Sequence, residues 1–223
     1  MIPLHTKRSS YILAIMKPSD FIQLGGRQLL DGCFFIKRTY DGTSSGESCA
    51  LIGISRHKVS SLLEDKSDFF EQISLHPEFQ DIPGIQNLSL KIASSYYSFF
   101  IPSLKHVQED DLFLFNIEPK AEGRLQRFYP AAQVTLPGGS MEQEDNFSFE
   151  NCAKREFEEE TGFIFDRLKC EDIKSIRIKQ IGRNNKLKFT HFCSSPTHKR
   201  VQKSDNIHFI SMFYMKRLSC LSS

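Results

Sequence analysis

No tryptophan occurs among the 223 residues, no two cysteines are spaced C-x-x-C, and no stretch is apolar for long. The longest apolar run near the N-terminus, Tyr11 to Met16, is closed by Lys17-Pro18. It is too short for a signal-peptide core or a membrane span. A soluble protein of the cytoplasm or nucleus, without a membrane partner, is therefore expected. A structural zinc site needs ligands at short, paired spacings. The six cysteines (Cys33, Cys49, Cys152, Cys170, Cys193, Cys220) are scattered and read as free thiols of a reducing compartment. The nearest thing to a ligand cluster, His191-x-Cys193 followed by His198, reads as ordinary packed or solvated residues.

What is present is ordinary in bulk and uneven in detail. With 39% hydrophobic and 25% charged residues, the chain can bury the core of one domain, with or without a small appendage. The net charge is only +2. Glu142 to Glu160 nevertheless holds eight acids against Lys154 and Arg155, and Arg167 to Lys203 holds eleven lysines and arginines against Glu171 and Asp172. Such a division suits a protein that gathers cations at one place and phosphates at another. It equally suits lysine-rich, solvated hairpin loops.

Residues 32–37 and 48–55 read as strands joined across a turn-rich segment, 40–47. From about Val59 to Leu104 the pattern is helical, broken by His76-Pro77 and Ile82-Pro83-Gly84. A strand is expected over 111–117, and a short one over 133–136 after a linker-like stretch, 119–130. Residues 173–180, 187–192 and 207–215 alternate or continue as strands. Strands, one charged helix and further strands indicate a mixed α/β sandwich. One domain is expected over 1–223, with a mostly helical insert at about 59–118.

The chemistry lies between Leu136 and Phe163. Ser148 can cap a helix that begins at Phe149 and stops before Gly162. Phe149, Ala153 and Phe157 then form its inward stripe. With Phe157 at 0°, Glu160, Glu156 and Glu159 fall at about −60°, −100° and −160°, a single carboxylate arc, while Glu158 points elsewhere. Like charges at these spacings repel. A divalent cation would compensate them, and hard cations such as Mg²⁺ or Mn²⁺ prefer carboxylate oxygens. Arg155 lies beside Glu159 on the wheel and can orient it by a charge-assisted hydrogen bond. The turn Pro137-Gly138-Gly139 allows close approach of backbone to a cation or to phosphates.

Arg155-Glu-Phe-Glu-Glu-Glu-Thr-Gly-Phe163, with the upstream Gly138-Gly139, resembles the Nudix box R-E-U-x-E-E-x-G-U at every fixed position, U being a bulky apolar residue. The resemblance implies a Nudix-type α/β/α sandwich with a mixed sheet, and hydrolysis of a pyrophosphate bond in a nucleoside-diphosphate-linked substrate. It implies Glu156, Glu159 and Glu160 as holders of Mg²⁺ or Mn²⁺, with Glu159 and Arg155 catalytic and Gly138 and Gly139 against the substrate. Arg155 follows Gly139 by sixteen positions, two more than the family's spacing. The extra pair is placed around Asp145-Asn146-Phe147, and either Glu144 or Asp145 fills the family's upstream acid position.

Leu51-Ile-Gly-Ile-Ser-Arg56, followed by a helical segment, is similar to the strand that enters a helical insert in the mRNA-decapping Nudix enzymes of large DNA viruses. The resemblance implies capped RNA as substrate, Arg56 as a substrate contact, and residence in host cytoplasm or nucleus, while the basic stretch 167–203, with Lys186 and Lys188, suits a grip on an RNA backbone. Tyr96, Tyr97, Phe99 and Phe100 are candidates to stack on a cap base. Two other readings stand beside this one: a small-molecule pyrophosphatase acting on ADP-ribose or dinucleotides, and a Nudix-fold RNA-binding module with feeble catalysis. Intact Glu156, Glu159 and Glu160 weigh against the last. Many relatives carry a further Glu well after the box. Here only Asp166, Glu171, Asp172 and Asp205 follow Gly162, and Asp205 is expected to serve as the late acid.

Overall fold

The run Tyr11 to Met16 is apolar at every position because its strand is covered on both faces. In the computed structural model, which describes residues 6–39, 48–63, 68–90, 107–119, 131–183, 186–193 and 207–221, strand β1 spans Thr6–Met16. Leu13 and Ile15 enter one core cluster, while Ile12, Ala14 and Met16 enter another on the opposite face. Strand β6, Leu112–Pro119, behaves alike: Phe113, Phe115 and Ile117 face the first cluster, Leu112 and Leu114 the second.

Among the described residues the remaining strands are β2 Arg27–Leu30, β3 Cys33–Thr39, β4 Ser48–Ser55, β5 Ser89–Leu90, β7 Ala132–Thr135, β8 Gly138–Ser140, β9 Leu168–Arg183, β10 Lys186–Cys193 and β11 Ile207–Cys220. They form one mixed sheet in the order β10-β9-β11-β1-β6-β4-β3-β2, with β7 on β6, β5 on β7 and β8 on β1. The pairs β1–β11 and β5–β7 are parallel, and the other pairs are antiparallel. Among the described residues four α-helices accompany the sheet: α1 Pro18–Gln23, α2 Arg56–Leu63, α3 Phe69–Leu75 and α4 Phe149–Thr161. Helix α4 lies on the second core cluster through Ala153 and Phe157, both fully buried. This is an α/β architecture with a mixed sheet. No helix among the described residues is long and apolar enough to cross a membrane.

Within 59–118, the stretch expected as a mostly helical insert, the strand expected over 111–117 is found as β6. Leu112–Pro119 is a core strand between β1 and β4, as its alternate burial on two faces requires. Before it, among the described residues, come α2, α3, two 3₁₀ turns at Pro77–Phe79 and Ile85–Asn87, and the short β5. Strand β11 also runs five residues past the expected end at Met215. Two charges interrupt the apolar pattern there. Lys216 is buried with Asp172 and Glu150 as ion partners, and Arg217 reaches buried Asp111 at 3.0 Å.

Candidate active site

Helix α4 begins and ends where its caps dictate. Ser148 Oγ accepts a hydrogen bond from the Asn151 backbone N–H at 3.2 Å. At the other end Gly162 takes the left-handed conformation, φ 66°, and its N–H reaches the Glu158 carbonyl. Ser10 of β1 donates to the Phe149 carbonyl at 2.7 Å, which pins the first turn to the sheet. Of the expected inward stripe, Ala153 and Phe157 are buried, while Phe149 is half-buried with Arg177 over its ring.

The loop before the helix is organised around Arg155. Its Nε and Nη2 donate to the two carboxylate oxygens of Asp145, at 3.0 and 3.1 Å. Nη2 also reaches Glu156 Oε1 and the Ser140 carbonyl, and Nη1 donates to Glu159 Oε2 at 3.1 Å. Asp145 is 2% exposed, and Arg155 holds its carboxyl below the ordinary range against the opposing effect of burial. Glu144 is mostly exposed and lies 3.4 Å from Arg155 Nε. Of the two acids open at the upstream position, Asp145 is thus the one built into the site. Glu142 caps the 3₁₀ turn Gln143–Asp145, and the chain then passes through left-handed Asn146 and Phe147 (φ 50° and 58°).

On the other side of the helix, Glu160 Oε2 accepts hydrogen bonds from Asn116 Nδ2 and the Gly138 backbone N–H, both at 2.8 Å. Burial, and then the negative charge of Glu118, push its carboxyl up to about 8, opposing the pull of these two donors. Burial also raises Glu156, with Arg155 opposing. Gly138 has φ 147°, and a Cβ there would run into the Ser10 and Tyr11 backbone of β1, where β8 pairs. A Cβ at Gly139 would strike the Glu156 carboxylate. The Gly-Gly pair therefore brings backbone against two box acids. Glu158 turns away, as its helical position requires, and accepts from the Phe165 N–H at 2.8 Å. Burial and the charges of Asp145 and Glu156 push the Cys152 thiol up to about 12, which leaves it a packed, unreactive group.

The expected site residues divide into three groups. Arg155, Glu156, Glu159, Glu160, Gly138 and Gly139 are together. Arg56 is not with them: it starts α2, donates to the Val107 carbonyl at 2.6 Å, and lies at the Leu112 end of β6, roughly 13 Å along the strand from Asn116. Lys186 and Lys188 lie on β10 at the sheet edge, with only their backbone described. Asp205, His198 and the aromatic group Tyr96 to Phe100 lie outside the described residues, as does the turn 40–47. Asn116 and Glu118 were not foreseen. Their signal is visible in Leu112-Phe-Leu-Phe-Asn-Ile-Glu: two polar residues replace the alternating apolar ones on one face.

The NUDIX domain model matches residues 121–218, the range that contains the box and strands β7 to β10. No curated protein and no solved structure gives a match. Nudix enzymes generally use Mg²⁺ or Mn²⁺, and the donor set here fits such an ion in kind: it is all oxygen, and half-buried Glu160 has no cationic partner among the described residues. Within those residues no three His, Cys, Asp or Glu side chains already form a cage. The reason is visible, since Glu156 and Glu159 are both drawn to Arg155.

Proposed function

We propose that the protein is a divalent-metal-dependent hydrolase of a pyrophosphate bond, and that its substrate is the 5′ cap of mRNA. The observation that carries the hydrolase reading is the carboxylate edge of α4 set against the Gly138-Gly139 turn, with Glu160 held by Asn116 and a backbone N–H. Glu156, Glu159 and Glu160 would hold Mg²⁺ or Mn²⁺, which supplies positive charge to phosphoryl oxygens and acidifies water when bound. Glu159 is the most exposed of the three, at 52%, and Arg155 fixes its direction, so it is the carboxylate best placed to take a proton from water. Gly139 lacks the Cβ that would collide with the Glu156 carboxylate, so backbone and carboxylate approach each other directly. Asp205 is proposed as the late acid.

Two features favour capped RNA over a small molecule. A long segment, 82 residues, separates Ser55 at the end of β4 from Gly138, more than small pyrophosphatases need. The basic stretch 167–203 includes Lys169 and Lys179, both exposed on β9, and Lys186 and Lys188 on β10, which pairs with the Lys179 end of β9. Phosphate neutralisation by such residues supplies most non-specific affinity for nucleic acid. The test is a panel of capped RNA, ADP-ribose, diadenosine polyphosphates and oxidised dGTP with both metals. Capped RNA should be preferred, its turnover should fall steeply with salt, and uncapped RNA should compete. Lys186→Gln and Lys188→Gln should slow only the RNA reaction. Efficient ADP-ribose hydrolysis that ignores RNA and salt would overturn the cap assignment.

A further inference from the structure

The face of β6 that carries Leu112 and Leu114 lies under α4, where both residues pack in one cluster with Ala153 and Phe157. With a period of two, Asn116 and Glu118 continue that face toward the end of the helix that bears the box carboxylates. Asn116 is already in contact there, donating to Glu160 at 2.8 Å. Glu118 is the next residue on the same face, about 6.6 Å further along the strand. Its Oε1 accepts a hydrogen bond at 3.1 Å from Thr135 Oγ1, on neighbouring β7, where Thr135 pairs with Asn116. This fixes one carboxylate oxygen and leaves the other for a further partner.

The charges around the site are matched unevenly. Arg155 serves Asp145, Glu156 and Glu159 together. Glu118 and Glu160 share no cation among the described residues, and Glu118 follows by one strand period the Asn116 that donates to Glu160. Two carboxyl groups on one face, each oriented by a neutral donor and neither paired with a cation, leave a deficit of positive charge between strand and helix. Asn116 and Thr135 keep both in place at the cost of their mutual repulsion.

We infer that Glu118 is a further cation-binding residue of the site, acting with Glu160 to hold the divalent ion from the strand side. It lies before the matched range 121–218 and outside the box. The inference rests on the metal-dependent reading above, and its test separates the two. Mn²⁺ binding to the full chain, without substrate, is measured by electron paramagnetic resonance and calorimetry. Glu118→Gln should weaken Mn²⁺ binding at least tenfold, as Glu160→Gln should, while Glu171→Gln on exposed β9 leaves it unchanged. If Glu118→Gln folds poorly, Thr135→Val replaces it, keeping the charge but freeing the carboxylate, with a loss of threefold or more expected. Mn²⁺ binding within twofold of wild type in the folded Glu118 variant, or in Thr135→Val, overturns the inference. If wild type binds Mn²⁺ and only Glu160→Gln loses it, the hydrolase reading survives alone. If wild type does not bind Mn²⁺ at all, both fall.

Discussion

Replacing Asp145 by Asn removes one charge from a buried pair and keeps the shape of the side chain. Asp145 is 2% exposed and takes two hydrogen bonds from Arg155, at 3.0 and 3.1 Å, and one from the Glu142 N–H at 2.8 Å. Breaking a fully buried pair by removing one partner costs about 3–5 kcal/mol. Here Arg155 keeps Glu156, Glu159 and the Ser140 carbonyl, so the loss should be smaller, about 2–4 kcal/mol. In a chain of this size that corresponds to a Tm lowered by roughly 5–12 °C. Glu144→Gln is the matched control. Glu144 is 65% exposed and 3.4 Å from the guanidinium, and its change should stay within about 0.5 kcal/mol. Thermal melts and urea titrations of wild type and both variants provide the assay. Equal losses in the two variants, or a loss below about 0.5 kcal/mol for Asp145→Asn, would refute the assignment of Asp145 as the anchor of Arg155.

Gly139→Ala should displace the Glu156 carboxylate and lower turnover by about 10²-fold with little change in Tm, since misplacement near 1 Å has that effect; kcat and melting curves check both halves. Glu158→Gln should leave turnover within about threefold and stability within about 0.5 kcal/mol, because the amide oxygen still accepts from the Phe165 N–H. For Glu160 the folded pKa is raised, to about 8. The stability that its neutral form contributes is present below the ordinary carboxyl range and is lost as pH rises through 8. In metal-free protein, Glu160→Gln should therefore gain stability relative to wild type between pH 5 and 9, by on the order of 1–3 kcal/mol after allowing for solvent screening, as urea titrations across that range will read. A flat difference would contradict the burial argument.

Helix α4 was legible in the sequence to its last residue because both ends carry cap residues and its apolar positions keep the helical period. The carboxylate arc followed from the same geometry. Local spacing does not reach further than this. Asn116 and Glu118 carry no motif, and only the packing of β6 under α4 gives them a partner. Glu144 and Asp145 are equivalent by spacing, and tertiary burial separates them. The apolar run in β1 hinted at two-sided burial, yet its parallel partner β11 lies about 200 residues away. Arg56, expected against the substrate from a short resemblance, stands at the Leu112 end of β6, roughly 13 Å along the strand from Asn116.

The central claim is that the box carboxylates support hydrolysis of a pyrophosphate bond through a divalent cation. Its most direct test is turnover of the substrate panel by the full chain, with Mg²⁺, Mn²⁺ or EDTA, beside Glu159→Gln and Glu160→Gln. The account predicts hydrolysis of at least one nucleoside-diphosphate-linked substrate, its loss in EDTA, and a fall of at least ~10²-fold in each folded variant. Undiminished hydrolysis in EDTA or in either variant, or no hydrolysis of any panel member with either metal, would contradict it.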